Sequence, residues 1–212
     1  MEYTFCETLM WFALAGRSFR CLEQQGLGVD HKKAKAIFRS MAERTPDIGG
    51  LTENPLRVSL SGGMVWLSIY EAAEGSMEET HFGEMVKASM KSPLVKASFK
   101  AKAKTAFTLD GQKKKADSAA KTNPLAKANP FQWNMEVILG RDEEEYTINY
   151  HQCGPCALGR QEGLLHLVKH MCVLDIMSIE WMGGVLHRKQ TLATGGDMCD
   201  FYICKKGSKW DV

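Results

Sequence analysis

The chain has 212 residues, of which 44% are hydrophobic and 25% charged, with a formal net charge of +2. That length suits one compact domain or two small ones sharing a core. So small a net charge supplies no global field for nucleic acid or an anionic membrane. No apolar run approaches the roughly 20 residues of a membrane span, and the apolar stretch 5–15 follows an acidic start, Met1-Glu2-Tyr3-Thr4. It reads as a first buried helix and not as a secretory signal. The seven cysteines are an odd number, and five of them fall in the last 60 residues. An odd count without a signal favours reduced thiols, hence a cytoplasmic location, over a disulfide framework.

In chain order, Leu9, Phe12, Ala13, Phe19 and Leu22 recur at helical spacing over residues 4–25. Asp30 is placed to N-cap a second helix whose face carries Ala34, Ile37, Phe38 and Met41. The run Thr45-Pro46-Asp47-Ile48-Gly49-Gly50 breaks it. A third, largely buried helix is expected at 62–74 and a fourth from Met77 to about residue 91. Residues 87–127 hold eleven lysines and only Asp110 and Asp117 as acids. Without arginine, and with two widely spaced Phe residues for stacking, this segment is a solvated helix face or a connector and not a nucleic-acid strip.

From residue 131 the period changes to two. Trp133, Met135, Val137 and Leu139 define one strand, and Tyr146, Ile148 and Tyr150 a second, joined by the charged turn at 140–144. Residues 157–176 read as one helix striped by Leu165, Val168, Cys172 and Ile176. Strands at about 185–193 and 199–205 flank Thr194-Gly195-Gly196-Asp197. The expected fold is α+β: a helical region 1–127 with a lysine-rich connector at 87–127, then a region 131–212 of two antiparallel hairpins with an intervening helix, the two regions forming one compact unit.

Three cysteine groupings carry chemistry. Cys153-Gly154-Pro155-Cys156 has the spacing of a thioredoxin-type redox pair at a helix start, where a thiolate is stabilised. The βαβ unit before it and the proline after it that such a fold requires are missing. A zinc site joining this pair to Cys199 and Cys204 fails on parity, because five residues is an odd step along a strand. His166 and His170, one helical turn apart, read as solvated. Cys172 and Asp175 share a helix face with Leu165 and Val168, which places a carboxylate in apolar surroundings, where it requires a partner. Cys199 should point into the core with Phe201 and Ile203. The glycine pair before it could turn backbone N–H groups into an anion nest built from Thr191, Thr194, Gly195, Gly196 and Asp197.

Tyr150-x-x-Cys153, Cys172-x-x-Asp175 and Thr191-Leu192-Ala193-Thr194-Gly195-Gly196-Asp197-x-Cys199-Asp200-Phe201 together resemble the C-terminal signature of the L-2-amino-thiazoline-4-carboxylate hydrolase family. The resemblance is strongest over residues 131–204 and carries Cys153 but not Cys156. It implies hydrolytic opening of a cyclic amidine to an N-carbamoyl-cysteine-like product, taken to proceed by breaking a C–N bond. Cys172, Asp175, Cys199 and Cys153 are then the expected catalytic residues. A thiolate of Cys172 or Cys199 would attack the carbon and Asp175 would move the proton. The expected partner is a small-molecule substrate, with no nucleic acid, membrane, cofactor or metal, and the oligomeric state is open. The alternative is a non-hydrolytic thiol or metal-binding protein using the same cysteines. The spacing of Cys172 and Asp175 is similar to that in organomercurial lyase.

Overall fold

A computed structural model describes residues 1–211. Helix α1 (Phe5–Gln24) begins at a capping box, in which Thr4 accepts from the N–H of Cys6 and Glu7 reaches back to the N–H of Thr4. Its core face is Trp11, Leu14, Ala15, Phe19 and Leu22, while Phe5 and Phe12 are about three-quarters exposed. The buried stripe is therefore rotated from the one read off Leu9 and Phe12. Asp30 caps α2 (His31–Arg44) through the amides of Lys32 and Lys33, as its position suggested. Helix α3 (Arg57–Ala72) is the central rod. It packs against α1 and α2, and Leu60, Met64, Leu67 and Ile69 are fully buried. Glu7 and Arg57, both buried, form an ion pair at 3.0 Å, and Ser61 also donates to Glu7 at 2.8 Å. Helix α4 (Glu79–Met90) closes this layer over α1 with Phe82 and Met85.

The lysine-rich segment is helical and ordered against the rest. It forms α5 (Pro93–Ala106) and α6 (Leu109–Ala126), with Thr108 capping α6 through Gly111 N–H. Most of its lysines face outward. Lys115 is the exception: its ammonium bonds Ala106 O at 2.9 Å and lies over the Tyr146 ring. Helix α6 holds the sheet through two amides. Asn123 bonds both the N–H and the C=O of Met135, as a neighbouring strand would, and so covers an edge. Buried Gln112 donates to the carbonyls of Phe107, Asp142 and Glu145 and accepts from Gly140, which fixes the charged turn at 140–144.

The strands β1 (Asn134–Ile138), β2 (Glu145–Gln152), β3 (Gly184–His187) and β4 (Cys199–Lys205) form a single antiparallel sheet in the order β1-β2-β4-β3. The fold is thus α+β, with the two expected hairpins merged through β2–β4 pairing. Strand β3 is shorter than expected. Asp200 takes the N–H groups of Lys189 and Gln190 and pulls that stretch out of the ladder. The helix expected at 157–176 is three: α7 (Gly154–Gln161), α8 (Leu165–Met171) and α9 (Val173–Trp181). Gly163, at φ +70°, ends the first. The chain bends again at Cys172, so Ile176 leaves the buried stripe and is 39% exposed. One hydrophobic cluster runs from α1 to β4. Among the described residues no helix is long and apolar enough to cross a membrane.

Candidate active site

Five short segments converge between the sheet and α7–α9. Tyr150 and Cys199 are directly paired across β2 and β4 and share the inner face with Ile148 and Phe201. Cys153 is the N-cap of α7. Gly154 lets it sit there, because a Cβ at 154 would meet Phe131 O at 2.7 Å and the Trp133 ring at 2.8 Å. Cys172 occupies the joint between α8 and α9, and Asp175 lies in the first turn of α9. Asp175, Cys153 and Cys199 act on Tyr150; Cys156 and Cys172 act on Cys153; Asp175, Cys156 and Cys199 act on Cys172; and Cys156 and Asp175 act on Cys199. The four residues expected to be catalytic are therefore gathered in one place. The Asp175 side chain is 42% exposed. That exposed side makes the cluster reachable from solvent, a candidate recess for a small molecule.

Arg188, which the sequence reading missed, organises this recess. It follows β3, its side chain is only 13% exposed, and its guanidinium bonds the Asp175 carboxylate at 3.1 Å. Two further N–H groups donate to Cys172 O at 3.2 Å, satisfying a carbonyl freed by the α8–α9 break. Phe201 lies beneath it at 5.2 Å. A signal was available: a carboxylate on an apolar helix stripe demands a cation, and Arg188 lies among the few in the adjoining strand segments.

The electrostatics divide the thiols. Burial raises Asp175 and Arg188 pulls it back, leaving it at about 6, within reach of neutral pH for proton transfer. Cys172 is pushed up to about 12, first by burial and then by Asp175. Cys199 is also raised by burial, but the N–H of Leu192 donates to its sulfur at 3.3 Å and opposes the rise. Cys153 and Cys156 act as a pair. Cys156 and burial hold Cys153 well up, while the Cys153 thiol and Arg160 favour the thiolate of Cys156.

The turn before β4 differs from the expected nest. The 3-10 turn Leu192–Thr194 ends at Gly195, at φ +88°. The amides of Thr194 and Gly196 are both spent on Thr191 O, and that of Asp197 on the Gln190 side chain. The hydroxyls of Thr191 and Thr194 bond each other at 2.9 Å. The turn thus directs the Leu192 amide at Cys199, and the amides of Thr194, Gly196 and Asp197 close the loop. Two further features lie apart. Cys204 projects from the opposite face of β4, so it cannot join Cys153, Cys156 and Cys199 in a zinc site. His170 bonds Glu79 at 3.3 Å and belongs to the α4–α8 contact.

A family model described as L-2-amino-thiazoline-4-carboxylic acid hydrolase matches residues 59–203, more than half of the chain. The chain belongs to this family. The match to the L-2-amino-thiazoline-4-carboxylic acid hydrolase family begins in α3, ends in β4 and includes Cys153, Cys172, Asp175, Arg188 and Cys199. No curated protein and no solved structure compared with the chain matches it.

Proposed function

We propose that the chain is a cysteine-dependent hydrolase that opens a cyclic amidine of the L-2-amino-thiazoline-4-carboxylate type at this recess. The observation that supports the reading is the Arg188–Asp175 ion pair beside Cys172 and Cys199, all inside the family match. Atom balance revises one expectation. An N-carbamoyl product keeps both nitrogens on the former ring carbon, so the bond that breaks is carbon–sulfur. Breaking the ring C–N bond would leave the carbamoyl group on sulfur instead.

The Cys199 sulfur, with the Leu192 amide beside it, is the better nucleophile than Cys172. Its attack on the ring carbon forms a C–S bond to the enzyme, and the ring C–S bond breaks. Asp175 gives its proton to the departing sulfur. Water then adds to the same carbon, its oxygen becomes the carbamoyl oxygen, and the Cys199 thiolate leaves. Asp175 regains a proton from that water. Arg188 supplies the positive charge for the substrate carboxylate. Cys172 lies beside Asp175, and Cys153 and Cys156 border the same cluster.

The test is turnover of L-2-amino-thiazoline-4-carboxylate by the wild type and by Asp175→Asn, with melting temperature as a folding control. The substitution should leave folding intact and lower kcat at least about a hundredfold. A fully active Asp175→Asn enzyme removes Asp175 from the mechanism.

A further inference from the structure

On the far side of the sheet, away from the recess, three side chains from three segments meet. His187 ends β3, Cys204 lies near the end of β4, and Asp211 lies in the tail that follows. Their ligand atoms all fall within 4.8 Å of one another. The Cys204 sulfur is 3.6 Å from His187 Nε2, and Asp211 Oδ1 is 4.0 Å from the same nitrogen. None of the three takes part in the chemistry proposed above, and Cys204 and Asp211 lie beyond the family match.

We propose that His187, Cys204 and Asp211 form a binding site for a zinc-type divalent cation that clamps the tail to the sheet. Zinc bonds of about 2.3 Å to sulfur and 2.0–2.1 Å to nitrogen, at a tetrahedral angle, put those two ligand atoms about 3.6 Å apart. That is the observed spacing of Cys204 and His187. The nitrogen–oxygen spacing requires about 3.4 Å, so the tail closes by roughly half an ångström. One thiolate, one imidazole and one carboxylate select a borderline-soft transition ion over magnesium or calcium. Three protein ligands leave a fourth position for water.

Two other observations favour a cation over a catalytic relay. In a cysteine–histidine–aspartate relay the thiol and the carboxylate engage different ring nitrogens. Here both approach Nε2. Cys204 is also fully buried, so it offers no face to a substrate. The carboxylate is already aimed: Asp211 Oδ2 accepts from Gly207 N–H at 2.8 Å, which leaves Oδ1 turned to His187. The tail is anchored by Trp210, which stacks under Arg141 at 3.5 Å and donates to the Asp142 carboxylate at 3.1 Å. Glu145 and Asp211 both place negative charge beside Cys204. The nearby ammonium of Lys209 is taken up by Asp142 at 2.9 Å.

The experiment is titration of chelator-treated full-length protein with Co²⁺, followed by its thiolate-to-metal absorption, with Zn²⁺ as competitor. One equivalent should bind, and Zn²⁺ should displace it and raise the melting temperature. Asp211→Ala, in the surface tail, should weaken binding at least about tenfold and abolish the thermal shift. His187→Gln should do the same, and Cys204→Ser should lose the thiolate band. Cys153→Ser, in the recess, should leave the signal unchanged and distinguishes the two thiol clusters. No binding by the wild type overturns the proposal. So does a Co²⁺ signal that survives Asp211→Ala and His187→Gln but is lost in Cys153→Ser.

Discussion

Replacing Arg188 by Met removes the cation bonded to Asp175 while keeping a side chain of similar length. An adjacent arginine lowers a carboxylate by about 1–3 pKa units. Because the Asp175 side chain is 42% exposed, solvent screening places the effect at the low end, about one unit. Asp175 starts at about 6, so the variant should titrate about one unit higher. At pH 7 its protonated fraction then rises from about a tenth to about a half. The assay is carbon NMR of the labelled Asp175 carboxyl from pH 4 to 9, which reports whether or not the variant turns over. Arg188→Lys, which keeps the charge, should move the midpoint less. In kinetics, the pH limb assigned to Asp175 should shift upward by the same amount in kcat, and KM should rise as the substrate carboxylate loses its partner. An unchanged midpoint in Arg188→Met, or a wild-type midpoint below about 4.5, would refute the electrostatic picture of the recess.

Two further perturbations follow from the same structure. Asp175→Asn should lower the Cys172 thiol from about 12, since burial and then the Asp175 charge hold it up; thiolate absorbance against pH, compared with a Cys172→Ser control, reads this, and an unmoved Cys172 would separate the two groups. Glu7→Gln should destabilise the fold by about 3–5 kcal/mol in urea at pH 7, because it leaves Arg57 buried without its counter-charge. Burial alone would raise Glu7, but Arg57, Thr4 and Ser61 hold it at about 2 against a usual 4.5. Its folded pKa is depressed, so its contribution is complete above about pH 5 and is lost as pH falls toward 2. A wild type whose stability is flat over that window, after allowance for other carboxylates, would contradict this assignment.

The parts of the fold fixed by short-range rules were readable in the sequence. Asp30 caps α2 because its carboxylate needs only the next two or three amides, and Met135, Val137, Tyr146, Ile148 and Tyr150 alternate because one sheet face is buried. What escaped depended on partners distant in sequence. The single helix read over 157–176 breaks at Cys172, where Arg188 accepts the cost by bonding the freed carbonyl sixteen residues away. The lysine-rich segment looked like a connector because its ties are few and remote: Asn123 to Met135, and Gln112 to the β1–β2 turn. In α1, Leu9 and Phe12 fit the helical period as well as Leu14 and Leu22 do, and periodicity alone does not choose which face meets α3. The cysteine and aspartate members of the site were visible as chemistry. The amide of Leu192 and the side chain of Arg188 were not, since one is backbone and the other gains its meaning only when β3 lies beside α9.

The ring-opening claim is tested most directly by mass spectrometry of the product formed from L-2-amino-thiazoline-4-carboxylate by wild-type protein in ¹⁸O-labelled water. The expected result is substrate plus one water, a single ¹⁸O in the carbamoyl group and a free thiol. An unchanged substrate would contradict hydrolysis at this recess, and a product with a free amine and the carbamoyl group on sulfur would contradict the assigned bond.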